Sequence, residues 1–420
     1  IMLSHHPTPQ HTSVSRSTGF ASSNLYMCIV SSAPSTPNYY YYLGIVYTFL
    51  NAGIMNWKTK FTKKFPCRLP IMGAPMAGVS GAELAAETCR AGGLGFLAAG
   101  HLNSKESLHA LEQEIDHFKD ISNGQYPLCI GFISHSTFGS QYGWDLFENV
   151  LDNHEPDVVQ FFAGALHSSA HHRNTNAVKI AHSFGCKVIM QVCTVQEAEL
   201  ALEYGADAIC AQGTEAGGHG IRRELGSGTL SLVAKLVDLS IERKKAIPIL
   251  AAGGVTDGKD AAAALALGAD GVVLGTRLWA SLEAKGPKRF KEALVAAKSG
   301  DDVIRTRAFD TIANSFRPIK WPVPYDSSGV LRNKMTAEWD DDTKLHKALS
   351  SSEGTAIVSA FQKGTADNDP AYACIYSGKG VGKITAIQPA YEILTRIESE
   401  MIAAIQQVQT LLPVEPSINR

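Results

Sequence analysis

Eight short apolar runs, separated by helix-like stretches, constrain this chain more than any other feature. Between residues 66 and 283 they begin near Pro70 (PIMGAPM), Gly93 (GLGFLAA), Pro127 (PLCIGFI), Asp157 (DVVQFF), Lys187 (KVIMQVC), Asp207 (DAICAQG), Pro248 (PILAAGG) and Gly271 (GVVLGT). Each run is continuous rather than alternating, and turn residues bound it. Strands buried on both faces read this way, as in a parallel sheet. The intervening stretches carry helix signals. Ser80 to Ala91 predicts a Ser-capped helix with Gly92 behind it. Thr194 to Tyr204 starts with a capping box, Thr194 and Glu197, and Asp257 to Leu267 is Ala-rich and ends at Gly268. Gly205-Ala206-Asp207 and Gly268-Ala269-Asp270 each close a helix and launch a strand, so one corner recipe is used twice. The span predicts an α/β fold, a (β/α)8 TIM barrel, whose usual size is about 200–250 residues. A doubly wound open sheet is the alternative; the first strand lacks GxGxxG, and the strongest glycine loops come late.

The flanks differ from this rhythm. Residues 1–56 hold no Asp or Glu, one Arg and many Ser, Thr and Pro, which predicts a disordered or artefactual extension before a domain that starts near Met55. A targeting or anchoring segment is the alternative, although transit peptides are usually richer in Arg. The apolar run from Tyr39 to Leu50 is too short to span a bilayer, which takes roughly 20 residues. Residues 57–283 read as the barrel. Residues 284–420 read as a helical and irregular segment that packs on the barrel and its substrate pocket. In it, Ile319 to Tyr325 (IKWPVPY) is Pro-broken and cannot be a central strand. A helix is expected from about Asp342 to Gln362, and another from Pro389, with Ile393, Ile397, Met401, Ile405, Val408 and Leu412 as its buried stripe.

Composition excludes several classes. The 420 residues are 45% hydrophobic and 19% charged, with a net charge of −2, so neither a nucleic-acid binder nor an acidic tail is indicated. No membrane association is expected, and a cytoplasmic protein is the default, with organellar targeting by the extension as the alternative. Eight cysteines are scattered without CxxC or zinc spacing, which suits buried reduced thiols.

The chemistry sits on the loops after the late strands. Gln212-Gly213-Thr214-Glu215-Ala216-Gly217-Gly218-His219-Gly220 places one histidine directly behind two glycines. Glycines admit a ligand close to backbone N–H groups, and a histidine there can exchange protons with it. Two further glycine loops, Ala251-Ala252-Gly253-Gly254-Val255 and Leu274-Gly275-Thr276-Arg277, follow the seventh and eighth strands. Barrels of this type often hold a phosphate there. The first strand ends Met72-Gly73-Ala74-Pro75-Met76-Ala77-Gly78, small and rigid enough to lie along a flat ring. Spacing does not choose between a flavin and a purine.

Taken together and in order, these segments resemble the nitronate monooxygenase family, the former 2-nitropropane dioxygenases, across residues 66–283. The resemblance implies non-covalently bound FMN. It puts Pro75, Met76 and Ala77 beside the isoalloxazine, and Gln191 and Gln212 at the ring's polar edge or the ribityl chain. It puts Gly217, Gly218, Gly253, Gly254, Gly275 and Thr276 at the phosphate and ribityl region, and His219 in the place of the catalytic histidine. The implied reaction oxidises an alkyl nitronate, or a nitroalkane, with dioxygen to a carbonyl compound and nitrite. Protonated, His219 would orient the anionic nitronate; neutral, it could take the α-proton of a nitroalkane, and both roles stay open. Two departures stand out. Where many members end the third strand with Asn, this chain reads Gly131-Phe132-Ile133-Ser134. In Ser377-Gly378-Lys379-Gly380-Val381-Gly382, Lys379 replaces the family's Gln.

Other candidates rank lower. His135 and His171-His172-Arg173 follow strands but read as solvated loop residues, and Cys193 reads as a buried thiol. The same motifs suit an FMN-dependent NAD(P)H oxidoreductase, of the enoyl-reductase or quinone-reductase kind, as the competing function. A catalytically silent flavin-binding scaffold is a third. No metal is expected, and the oligomeric state is not readable from the sequence.

Overall fold

The structure, a computed structural model, describes residues 56–163 and 171–413, with side chains for all of these but 171–176. The expectation for the extension therefore falls, apart from residue 56, outside the described residues. Among the described residues no helix is long and apolar enough to cross a membrane.

Eleven strands follow in chain order among the described residues: β1 (Ile71–Gly73), β2 (Leu97–Gly100), β3 (Cys129–Ile133), β4 (Val158–Phe162), β5 (Lys187–Val192), β6 (Ala208–Gln212), β7 (Gly218–Gly220), β8 (Ile249–Ala252), β9 (Gly271–Leu274), β10 (Val303–Thr306) and β11 (Ser327–Leu331). Eight of them form one parallel sheet in the order β1-β9-β8-β6-β5-β4-β3-β2. A parallel bridge between Met72 and Leu94 joins β1 to the segment that leads into β2 and closes the curl. Gly73 N–H donates to Leu94 O at 2.9 Å, and Leu94 N–H to Ile71 O at 2.9 Å. The eight runs thus form the barrel expected of them.

Period-two geometry divides each strand between two cores. Val158, Ile189, Ala208, Cys210 and Leu250 fill the barrel interior, and Phe61 and Phe65, from the helix Lys60–Lys64 and the residue after it, join that cluster. Val159, Val188, Ile209 and Val272 belong to the core shared with the outer helices. The corner recipe has a hydrogen-bonding purpose. Asp207 Oδ2 accepts from Val188 N–H at 2.9 Å, and Asp270 Oδ2 from Ile249 N–H at 3.1 Å. Asp157 Oδ2 does the same for Leu128 N–H at 2.8 Å. Each Asp at a strand's start satisfies a donor on a neighbouring strand. The glycines before two of them close their helices at φ +88° (Gly205) and +94° (Gly268), where an L side chain is strained.

Three helix expectations change. The helix after β1 runs Ala82–Arg90 with Gly81 as its N-cap, so Ser80 is not the cap. Its hydroxyl instead donates to Ala74 O at 2.8 Å and accepts from Met76 N–H at 3.1 Å, which shapes the turn after β1. The single helix expected from Asp342 forms two, Asp342–Leu349 and Gly354–Ala366. The last helix, Ala390–Gln409, buries Ile393, Ile397 and Met401, but Val408 and, beyond its end, Leu412 are exposed, because those turns run past the partners that cover the stripe.

Residues 284–389 hold more strand than the irregular segment expected. β10, β11 and β7 form an antiparallel sheet, with Ser328 opposite His219. A further apolar core, including Ile304, Phe309, Ile312, Val330, Met335, Leu345 and Phe361, supports it. The helix Ala390–Gln409 then packs against the helices Gly258–Ala266 and Ala82–Arg90. It takes the place in the outer ring that follows β9, so the 284–389 lobe is inserted between the eighth barrel strand and its helix.

Candidate active site

At the C-terminal ends of the barrel strands lies a cavity of about 280 Å³. Pro75, Met76, Ala77, Gln191, Gln212, Gly217, Gly218, His219, Gly253, Gly254, Gly275 and Thr276 all line it. They come from the ends of β1, β5, β6, β8 and β9 and from β7.

The floor is an amide row. The inward positions of β4, β5 and β6 change from apolar residues low in the barrel to Gln160, Gln191 and Gln212 one layer higher. Gln160 Nε2 donates to Gln191 Oε1, and Gln191 Nε2 to Gln212 Oε1 at 2.9 Å. Gln212 Nε2 donates to the His219 carbonyl at 2.9 Å, so the row ends on the backbone of the histidine. Gln160 is 1% exposed, and its Oε1 has no partner among the described residues. Sequence reasoning missed Gln160, although its place mid-strand in DVVQFF signals a polar side chain on an inward register.

Close backbone approach shapes the walls. A Cβ on Gly131 would lie 2.4 Å from Pro75 Cβ, so the absence of the family's Asn from the end of β3 accompanies tight packing of the Pro75 ring there. The N–H groups of Gly253 and Gly254 carry no protein hydrogen bond among the described residues. Thr276 Oγ1 accepts from Gly378 N–H at 2.9 Å, which leaves its own hydrogen free to donate. Gly378 and Gly380 also line the cavity, whereas Lys379 turns away, its Nζ donating to the carbonyls of Gly300 and Val303 at 2.8 Å each.

The histidine is held on three sides. Asp310 Oδ1 lies 2.8 Å from His219 Nε2, and both side chains are about nine-tenths buried. Trp321 stacks on the imidazole, with centroids 3.8 Å apart and planes 12° apart, and the Tyr376 ring stands 5.4 Å away. An ionised carboxylate only accepts, so Nε2 carries a proton and Nδ1 is the nitrogen left without a protein partner among the described residues. Below, the buried Arg305 donates to the carbonyls of Thr214, Ala216 and Ser327, at 3.3, 2.7 and 3.2 Å, and fastens the glycine loop. Burial pushes its guanidinium down to about 10.

Asp310, Trp321 and Tyr376 lie 91 to 157 positions beyond His219 and carry no local signal that marks them in the sequence. His101 also lines the cavity; as the polar residue at the end of β2 it carried a readable signal. Arg317 stands at the same wall and is exposed. His135 sits in the short helix Ser134–Thr137 with its ring 4.7 Å from Trp321. His171 to Arg173 open the helix His171–Ser183 rather than a loop, and their side chains lie outside the described residues. Cys193 is buried, its thiol is pushed well up by burial and then by Glu197, and its Sγ donates to Gln212 Oε1 at 3.3 Å.

A parallel barrel whose strand ends carry a glycine rim, an amide floor and a carboxylate-backed histidine has the layout of a barrel enzyme, with its cavity at the C-terminal face. The chain belongs to the nitronate monooxygenase family, which it matches over residues 58–400. It is 32% identical over 372 residues to a Neurospora crassa nitronate monooxygenase, covering 84% of this chain and 94% of that one. Among solved structures, nitroalkane oxidase from Streptomyces ansochromogenes is similar, with TM-score 0.63 and 26% identity over 83% of this chain and all of the other. FabK from Thermotoga maritima is similar with TM-score 0.65 and 25% identity over 85% of this chain and all of the other. The chain is thus an oxidoreductase of a flavin-dependent family that acts on nitronates with oxygen.

Proposed function

We propose that this cavity binds FMN and oxidises alkyl nitronates to a carbonyl compound and nitrite with dioxygen. One observation carries the reading: unpaired N–H groups on Gly253 and Gly254, a free Thr276 hydroxyl hydrogen and the His219–Asp310 pair share a single cavity. The donor set fits a phosphate, which asks for several N–H and O–H donors at close backbone range. Pro75, Met76 and Ala77 offer a narrow apolar wall suited to a flat ring, with the glutamine row as its polar edge. When bound, the flavin supplies the electron transfer between nitronate and dioxygen.

The protein's own residues then have distinct tasks. Protonated on Nδ1 as well as Nε2, His219 would hold the anionic nitro end of the substrate, and Asp310 would fix the ring's orientation and offset its positive charge. Trp321 and Tyr376 restrict the space around the imidazole and keep water from it. Similarity to the Streptomyces nitroalkane oxidase supports nitroalkanes as a second substrate class.

The test is direct. The purified protein should be yellow, release FMN on denaturation and form nitrite from ethyl nitronate in air. Mixed anaerobically, it should be bleached by ethyl nitronate and not by NADH. Colourless protein that FMN cannot reconstitute would overturn the reading, and rapid bleaching by NADH alone would favour the reductase.

A further inference from the structure

Arg305 is a buried cation without a buried anion. It lies in β10, in register with Gly329 of β11 and, through it, with Gly218 of β7. Residues in register share a face of the sheet, and the two glycines put no side chain there. Arg305 is 7% exposed, and its hydrogen bonds end on carbonyls alone, those of Thr214, Ala216 and Ser327. The other charges that bear on it are those of Cys193 and Arg223, so among the described residues no carboxylate balances it. A buried charge asks for a partner, and carbonyl dipoles meet only part of that need.

Its shortest bond leads to the glycine rim. Ala216 O, 2.7 Å from the guanidinium, belongs to the same peptide group as the N–H of Gly217. Gly217 lines the cavity, and its N–H has no protein partner among the described residues. A cation on the carbonyl polarises that peptide and makes its N–H a stronger donor. Four segments meet around it. A Cβ on Gly217 would lie 2.7 Å from Gly378 N, one on Gly253 2.8 Å from Ala216 N, and one on Gly380 2.4 Å from Gly254 O. The rim is thus one nest of backbone groups, and Arg305 grips one of its peptides from behind. The other charges nearby are engaged elsewhere. Glu215 accepts from Thr229 N–H, Asp257 and Asp260 share Lys383, and Lys379 faces the Gly300 and Val303 carbonyls. Arg277, beside Thr276, is buried too, but it reaches to Ala280, Ala386 and Gln388, and the charge of Glu400 acts on it.

We propose that Arg305 is the counter-charge of a phosphate seated in this nest, a positioning residue that acts through the Ala216–Gly217 peptide and makes the site prefer FMN to riboflavin. The two flavins present the same ring and differ by the phosphate alone, so the ring's wall and the amide floor cannot tell them apart. The glycine N–H groups supply hydrogen bonds, and Arg305 supplies the charge that a dianion needs in a site closed to water. This inference rests on the FMN reading of the cavity and adds the residue that selects the phosphorylated flavin.

The test dialyses the full-length holoenzyme to equilibrium against equal concentrations of FMN and riboflavin, then identifies the bound flavin by chromatography after denaturation. Arg305→Gln keeps hydrogen-bond donors without the charge, and Arg305→Lys keeps the charge without the planar fork. Wild type should take up FMN in large excess. Arg305→Gln should lower the bound FMN-to-riboflavin ratio by about tenfold or more, and Arg305→Lys should keep most of the preference. A packing role alone would weaken both flavins together and leave the ratio unmoved. Phosphorus-31 NMR of the wild-type holoenzyme gives a readout that survives if the variants fold poorly. The bound phosphate should stay dianionic below a pH of about 6, where a free phosphate monoester takes up its proton. An unchanged ratio in Arg305→Gln, an equal loss in both variants, or a bound phosphate that gains its proton at or above that pH would overturn the proposal. Equal uptake of the two flavins by wild type refutes this inference and leaves a flavin site; uptake of neither refutes the FMN reading as well.

Discussion

His219 gets its chemical identity from Asp310, 91 positions away. An amide in place of the carboxylate keeps the shape and loses the charge. Asp310→Asn should therefore cost roughly 10²-fold in kcat/KM for ethyl nitronate, with FMN content unchanged; rate assays beside a visible spectrum check both. Asp310→Glu should recover part of the loss, which a purely packing role would not. Glu197 gives a second prediction. It accepts from the N–H groups of Cys193 and Thr194 while 1% exposed. Burial pushes its carboxyl from the ordinary 4.5 up to about 7. Between those values the folded chain binds more protons than the unfolded chain, so this group's contribution to stability falls as pH rises through that window. Glu197→Gln retains an acceptor without the titration. Its Tm should vary less than that of wild type across the same window, and paired thermal melts decide it.

The β8–β9 end of the barrel depends on glycine geometry. Gly253 sits at φ +121°, and a Cβ there would lie 2.7 Å from Thr229 Oγ1 and 2.8 Å from Ala216 N. Gly253→Ala should cost about 1–3 kcal/mol in strain, lower the Tm and reduce bound flavin; the visible spectrum and a melt measure the two effects. These loops, like the eight strands and the Thr194–Glu197 cap, were legible because each signal is complete within a few residues. The role of Ser80 was not. A serine before a helix has two local uses, capping it or bracing the preceding turn, and the Ala74 carbonyl 2.8 Å away settles which. Likewise His101, directly after β2, and Gln160, within β4, carried a polar signal beside apolar residues, but that signal does not say what either side chain meets.

The ring of outer helices closes only with a segment from the far end of the chain. Ile397 is fully buried where the helix Ala390–Gln409 meets the helices Gly258–Ala266 and Ala82–Arg90. Ile397→Ala should destabilise the protein by about 2–5 kcal/mol and leave KM for ethyl nitronate unchanged. Denaturant titration and steady-state kinetics separate the two. The inserted lobe has the opposite character: it adds little to barrel closure and much to the pocket, through Asp310, Arg317, Trp321 and Tyr376. Arg222, bidentate to Asp326 at 2.7 Å for both bonds, ties it to the segment after β7.

Local patterns settled the barrel, its glycine loops and the place of the histidine behind Gly217 and Gly218, because hydrophobic period, turn glycines and caps act over a few residues. Folding in three dimensions decided which groups make that histidine a working site. The contacts of Asp310, Trp321 and Tyr376 with it join distant segments, and no short stretch of chain encodes the distance between them.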